Sequence, residues 1–326
     1  MARRSSRNTS SSGPLTRKGS TQTLLPEGSV ETSSGTVELV ADRDSPRALT
    51  VHVNGVPSSY VDLDDPTNVG FEYMEIMCAV LERVPPGPLD AVHLGAAGCA
   101  MARYLDAARP GSRQIGIDID ARLLELVRTW FELPRSPRLR LRAGDARAEL
   151  ATLGSASADV VIRDVFAGDR TPHHLVTGEF VDDVLRVLRP GGLYLVNCAD
   201  RPPLSAARAE VATLRAALAR AEAAAASRAR SEPSSATSAD PWHGEVAVVS
   251  EPGLLKGRRY GNLVLALRTP VSGQRSDTLS SAGLARSLRS LAVPAHILST
   301  GAETEQFAGH APVQRDGEPH PAPPER

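Results

Sequence analysis

An apolar run, Ala91-Val-His-Leu94, breaks on the small-residue turn Gly95-Ala-Ala-Gly98. Roughly twenty residues later a second apolar run, Gln114-Ile-Gly-Ile117, ends on Asp118. A strand, a turn of small residues, a helix and a strand ending on an acid form the layout of a nucleoside-binding βαβ unit. The small side chains let the backbone approach a ligand, which makes Gly95 and Ala97 candidate contacts. Asp118 stands where one carboxylate can accept from both hydroxyls of a ribose. A pyrophosphate would call for Gly-x-Gly-x-x-Gly, which this turn lacks. A ligand with adenine and ribose but no pyrophosphate, such as S-adenosylmethionine or a relative of it, fits better.

The surrounding pattern predicts an α/β fold. Short apolar segments at 91–95, 114–118, 139–143, 159–164 and 192–197 alternate with helical segments at 99–108, 121–131, 146–153, 179–188 and 205–220. Segments apolar on both faces are what buried parallel strands require. Glu245–Val249 and Asn262–Leu267 then follow with no helix between them and read as an antiparallel hairpin. Five parallel strands closed by such a hairpin give a doubly wound, seven-stranded, class I S-adenosylmethionine-dependent methyltransferase-like Rossmann fold. Ahead of it, short strands joined at Asn54-Gly55, a strong hairpin signal, predict a small β cap. The expected organisation is a disordered tail over 1–35, the β cap over 36–66, and the main domain over 67–270 with a flexible insertion at 221–240. A helical extension over 271–300 and a disordered tail over 301–326 complete it.

Composition excludes several classes. A net charge of −1 gives no bulk attraction to nucleic acid or to an anionic membrane. No apolar run reaches the roughly 18 residues that span a bilayer. Arg3, Arg4 and Arg7 are followed by no apolar core, so no secretory signal is expected. Cys78, Cys99 and Cys198 are an odd, widely spaced set, which points to reduced thiols and a cytoplasmic location. Cysteines and histidines show no metal-ligand spacing, so no metal is expected.

Three acids fall at or just past the ends of successive strands: Asp118, Asp145 and Asp164. In an open parallel sheet all such ends line one crevice. Asp118 is read as a ribose acceptor. Asp145, with the backbone of Ala146, is placed to meet adenine, and Asp164 faces the reacting end. The competing structural reading is that each acid caps the helix after it. Cys99 at a helix start would carry a lowered thiol pKa if exposed; a small residue in a crowded turn is the alternative. His173-His174 lies in the loop after Asp164, as either a gate or an exposed pair.

From Asn54 to Leu267 the chain resembles the spermidine synthase (polyamine aminopropyltransferase) family, in its actinobacterial spermidine synthase-like branch. Val53-Asn-Gly-Val56 is similar to the family's Leu-Asp-Gly turn, and Glu72-Tyr-Met-Glu-Ile-Met77 to its Tyr-x-Glu-Met helix. Leu94-Gly-Ala-Ala97 stands at its glycine-rich turn, Gly116-Ile-Asp-Ile-Asp120 at its Glu-Ile-Asp, and Gly144-Asp145 at its Gly-Asp. Asp164, with Glu179-Phe180 beyond, stands at its Asp-Ser-Ser-Asp-Pro loop and following helix. Gly257-Arg-Arg-Tyr-Gly-Asn262 resembles the closing hairpin of actinobacterial relatives.

The resemblance implies transfer of an aminopropyl group from decarboxylated S-adenosylmethionine to an amine, as in polyamine biosynthesis. The donor is then a co-substrate and no cofactor is tightly bound. Asp164 takes the catalytic position as acceptor of the amine's proton. Tyr73, Glu75 and Ser58 take substrate-binding positions, and Gly95, Ala97, Asp118, Asp145 and Ala146 hold the donor. Partners implied are a small-molecule amine and a homodimer, with neither nucleic acid nor membrane. Three family positions depart. The acid of the glycine-rich turn is Gly98, the second acid of the Asp-x-x-Asp loop is Ala167 with Asp169 two residues on, and the Gln after the Asp-Gly turn is Ser58. Asp62, Asp64, Asp65 and Glu75 are the candidates to replace the missing charges. Two other readings stay open: a small-molecule methyltransferase using the same pocket, and a non-catalytic nucleoside-binding protein of the same fold.

Overall fold

The computed structural model describes residues 25–168, 170–231, 242–272 and 279–318. Its main sheet contains β5 (Asp90–Leu94), β6 (Arg113–Asp118), β7 (Leu139–Ala143), β8 (Ala158–Arg163), β9 (Leu188–Asp200), β10 (His243–Ser250), β11 (Gly261–Val271) and β12 (His296–Leu298), in the order β12-β10-β11-β9-β8-β5-β6-β7. β9, β8, β5, β6 and β7 run parallel, while β11, β10 and β12 are added antiparallel. The chain builds outward from β5 through β6 to β7, then returns to the other side of β5 with β8. The order therefore reverses between β5 and β8, and a crevice opens beyond their carboxyl ends.

Helices cover both faces of this sheet. On one face lie α4 (Ala146–Ala151), α5 (Gly178–Val187), α6 (Ser205–Ser231) and α9 (Gly301–Ala308), packed on Val161, Val196, Leu263 and Leu265. On the other, α1 (Glu72–Leu81), α2 (Ala100–Ala108) and α8 (Ala282–Arg289) pack on Val160, Ile162, Leu195, Val264 and Ala266. Alternation along each strand sends one residue to each core. Val160, Val161 and Ile162 are all buried for that reason, and each contributes about 1.5–3 kcal/mol by leaving water. A one-residue slip would exchange the two cores, which pins the register and with it the site. The remaining helices are α3 (Ala121–Trp130) and the short α7 (Pro252–Leu255).

The cap is a second sheet, β1 (Ser29–Glu31), β2 (Thr36–Ala41), β3 (Ala48–Val53) and β4 (Val56–Asp62), in sequential antiparallel order. It packs Val37, Leu49, Val51 and Val61 against Leu123, Val127 and Ala102. The turn Asn54-Gly55 joins β3 to β4 with both residues at positive φ, as its sequence predicts.

Four boundaries differ from expectation. The cap begins inside the tail expected over 1–35: β1 and the turn after it are ordered because Ser33 and Ser34 dock on the main domain, while residues 1–24 lie outside the described residues. The insertion expected at 221–240 is helical through Ser231, since α6 continues unbroken; 232–240 are outside the description. The extension over 271–300 contains not only α8 but β12, an eighth strand that pairs with β10. The tail expected over 301–326 begins with α9, set by a capping box between Thr300 and Glu303 and by burial of Phe307; residues 319–326 are not described. The polar composition of 301–318 masks that cap, the buried Thr304, Phe307, Ala308 and Gln314, and the pairing of Asp316 with Arg147.

Candidate active site

The crevice at the strand switch is a cleft of about 880 Å³. Its floor is the turn Gly95–Cys99 and its far wall the segment Asp164–Gly168. These two come so close that a Cβ on Gly95 would lie 2.1 Å from the Asp164 carbonyl oxygen, and Gly95 has φ +82°. Both facts require glycine there. A Cβ on Gly98 already meets Ser59 at 2.7 Å, so no larger side chain enters the turn without a shift of the cap.

Asp118 is held ready at one end. Its Oδ2 accepts from the Ala97 N–H at 2.9 Å and its Oδ1 from the Asp120 N–H at 3.0 Å. Burial raises its pKa, and those two bonds pull it back. It does not cap α3. That task falls to Asp120, whose carboxylate accepts from Leu123 N–H, Ser33 N–H, Ser34 N–H and the Ser34 hydroxyl. Burial opposes the Asp120 charge, yet these bonds hold it well below the usual carboxylate range. Asp145 does cap its helix: Oδ1 accepts from Arg147 and Ala148 N–H at 3.0 and 2.9 Å. Its Oδ2 still faces the cleft, where it meets His174 Nε2 at 2.8 Å. The capping reading thus holds for Asp145 without removing it from the pocket.

Asp164 lies across the strand switch from Asp118, one residue past the last rung of β8. The Tyr73 hydroxyl donates to its Oδ2 at 2.9 Å and the Asn197 amide to its Oδ1 at 2.9 Å. Tyr73 comes from α1 and Asn197 from β9, both on the face that carries Ile162 and Leu195. Burial raises the Asp164 pKa, and the bonds from Asn197 and Tyr73 oppose the rise. Burial beside Asp164 pushes the Tyr73 phenol well above its ordinary value, so it stays a neutral donor. The result is a carboxylate gripped at both oxygens, whose proton affinity burial raises and these two bonds restrain.

Gly95, Ala97, Asp118, Asp145, Ala146, Asp164, Tyr73 and Ser58 all line this one cleft. Ser58 spends its hydroxyl on the Val56 carbonyl within its own turn, at 2.9 Å. Glu75 is not brought to the cleft: two positions along a helix from Tyr73 turn it about 200° away. Nor do the other proposed replacements arrive. Asp62 accepts from Asp64 N–H, Asp65 N–H and the Asn68 amide, Asp64 pairs with Arg47, and Asp65 holds Thr67. Asp169 lies outside the described residues. Cys99 is buried and burial pushes its thiol up to about 12, the reverse of an activated nucleophile. His174 belongs to the pocket wall, whereas His173 Nε2 meets the Arg315 carbonyl.

Sequence reasoning missed Asn197, Ser34, Asp120 as the cap, Tyr260 and Asn262. Asn197 had a signal: a lone amide inside the apolar run Leu193-Tyr-Leu-Val-Asn-Cys must find a partner when buried. His93, also buried in the cleft wall, bonds Gln114 at 2.8 Å, and burial lowers its pKa to about 4, so it is neutral. The described residues hold no cluster suited to a metal ion, and none of their helices is long and apolar enough to cross a membrane.

The family of methyltransferase domains matches residues 92–196, the stretch that carries this cleft. A polyamine aminopropyltransferase of Chromobacterium violaceum is 25% identical over 158 residues, which are 48% of this chain and 60% of that relative. A solved spermidine synthase bound to the transition state analogue AdoDATO is 11% identical over 77% of this chain and 75% of its own, with a TM-score of 0.52, and shares the fold. A probable spermidine synthase from Corynebacterium glutamicum is 33% identical with a TM-score of 0.75, and the superposition takes in 92% of this chain and 100% of that one. A likeness of that strength over nearly the whole of both chains, cap included, means that this protein belongs to the spermidine synthase-like family.

Proposed function

We propose that the protein is an aminopropyltransferase that moves the aminopropyl group of decarboxylated S-adenosylmethionine onto an amine. The observation that carries this reading is the Asp164 carboxylate, fixed by Tyr73 and Asn197 in the same cleft as Asp118, across the strand switch from it. Asp118 suits the ribose, and Asp145 with Ala146 the adenine edge, which leaves the sulfonium between them and Asp164. A protonated amine has no lone pair to attack with. Asp164 takes that proton and holds the amine in line with the carbon next to sulfur, so the C–S bond breaks as the C–N bond forms. The sulfonium needs no acid to leave, and the products are the alkylated amine, methylthioadenosine and the proton. Tyr73 serves by aiming Asp164 as much as by seating the amine chain.

A second reading, methyl transfer from intact S-adenosylmethionine, is favoured by the methyltransferase-domain match and by Gly98, which puts no acid where relatives carry one. Calorimetry with the two donors separates them: preference for the decarboxylated donor supports aminopropyl transfer, and preference for the intact one supports the methyltransferase. Methylthioadenosine release with an amine panel then tests turnover. Asp164→Asn is expected to lower kcat at least 100-fold, the lower end of what a positioned base contributes; undiminished turnover would remove Asp164 from the mechanism.

A further inference from the structure

Asp145 stands where β7 passes into α4, and its two oxygens have different duties. Oδ1 accepts from the Arg147 and Ala148 N–H groups and is spent on the helix. Oδ2 faces the cleft, and His174 Nε2 lies 2.8 Å from it. An ionised carboxylate only accepts, so the imidazole donates. Burial opposes the Asp145 charge, yet the Ala148 N–H and His174 hold its pKa below the ordinary carboxylate value. The His174 and Asp145 side chains are 45% and 40% exposed, so solvent reaches the contact. The backbone behind the ring is held far more firmly. Arg147 Nη1 donates to the His174 carbonyl at 3.2 Å, while the same guanidinium grips both oxygens of Asp316. Arg163 Nη1 donates to the carbonyl of the buried Leu175 at 3.0 Å. The His174 ring is thus a part that turns on a fixed backbone, from one rotamer to another.

Resting on the reading that brings adenine to Asp145, we propose that His174 is an internal competitor for the nucleoside: its imidazole holds the carboxylate oxygen that the exocyclic amine of the base takes, and it turns out of the subsite when the base arrives. The imidazole N–H and the exocyclic N–H are donors of the same kind, and both reach Oδ2 from the cleft. An oxygen already bonded at 2.8 Å gives up that partner only in exchange for an equal donor. A purine that carries the exocyclic amine supplies one. A purine with hydrogen in its place does not, and it leaves the imidazole where it stands. The competition falls on every adenine nucleoside alike, the donor and the product methylthioadenosine included. It is modest, because a pair open to solvent shifts an equilibrium by no more than roughly fivefold.

The test uses the full chain and calorimetry with two ligands, methylthioadenosine and its analogue in which hydrogen replaces the exocyclic amine. His174→Ala is expected to bind methylthioadenosine about two- to fivefold more tightly than the wild type, and the analogue with unchanged affinity. The unchanged analogue also shows that the cleft of the variant is intact. Equal affinity of the two proteins for methylthioadenosine, or weaker binding by the variant, overturns the inference while leaving the adenine reading standing. Tightening of both ligands by the same factor overturns it too, because the ring would then obstruct the cleft by its bulk rather than hold the oxygen. Binding of methylthioadenosine by neither protein overturns the inference and the adenine reading together.

Discussion

Tyr73→Phe isolates one of the two hydrogen bonds that restrain the proton affinity of Asp164. Phenylalanine keeps the ring that stacks on Phe71 at 5.9 Å and removes only the hydroxyl that donates to Asp164 Oδ2 at 2.9 Å. A hydrogen bond to a charged acceptor is worth about 1.5–3 kcal/mol, and one pKa unit about 1.4 kcal/mol, so the loss translates into a rise of about one to two units. The direction is fixed: burial already pushes the Asp164 carboxyl upward, and the Tyr73 bond is one of two that restrain it. The assay is kcat against pH at saturating donor and amine, whose acid limb reports the base in the bound complex. That limb is expected to move to higher pH by at least one unit. The variant then loses about tenfold at pH values well below its new limb and little on the plateau, where Asp164 is ionised in both proteins. Asn197→Ala removes the other restraint and is expected to move the limb the same way. A limb that stays in place, or moves down, would refute the claim that Tyr73 acts through the carboxylate.

Three further outcomes follow from the same geometry. Because the folded Asp164 pKa is raised, the stability it contributes is present below the ordinary carboxylate range and is lost as pH rises through the folded value; Asp164→Asn is therefore expected to raise Tm at neutral pH while abolishing turnover, and a lower Tm in differential scanning calorimetry would contradict the raised pKa. Gly95→Ala drives a Cβ to within 2.1 Å of the Asp164 carbonyl at a positive φ, so donor binding by calorimetry is expected to fall at least tenfold together with a loss of stability of about 1–3 kcal/mol, and wild-type behaviour would contradict the close approach of this turn to Asp164. Glu210→Gln leaves the fully buried Arg163 without its partner at 2.6 Å and is expected to cost about 3–5 kcal/mol in urea unfolding, more than the paired change Arg163→Met with Glu210→Leu; equal costs would show that the pair is not coupled.

What was legible in the sequence follows from what is local. Apolar strands, the small-residue turn and the acids after β6, β7 and β8 are written in consecutive residues, and a parallel sheet brings all strand ends to one edge whatever lies between. Glu75 failed because a match in motif order carries no helical phase: Tyr73 faces the cleft and a residue two further on cannot. Asp120 was hidden behind Asp118, since two acids two positions apart look interchangeable until the chain shows that one caps α3 and clamps the Ser33-Ser34 turn while the other is left to the pocket. The clamp itself joins residues 86 and 87 positions apart, a pairing no window of sequence contains. Asn262 reaches the site only because β11 runs antiparallel to β9 in one register, which places it opposite Ala199.

The adjacent residues Arg163 and Asp164 show how the fold makes such a site tolerable. Alternation sends them to opposite faces, the arginine into the core under α6 and the acid into the cleft. Arg163 is fully buried, pairs with Glu210, and donates to the Leu175 carbonyl at 3.0 Å and the Asn197 carbonyl at 3.4 Å. Those two carbonyls belong to the segment that carries His174 and to the residue whose amide grips Asp164. One buried cation thus ties β8, β9 and the wall of the cleft together from behind. Its charge also lies behind Asp164 and opposes the rise that burial imposes. A raised carboxylate pKa favours proton uptake from the amine, and the same raise weakens the fold at neutral pH; a buried ion pair on the reverse face limits both. The acid is therefore set by its neighbours on β8, β9 and α1, and its chemistry is a property of the switch point rather than of the residue alone.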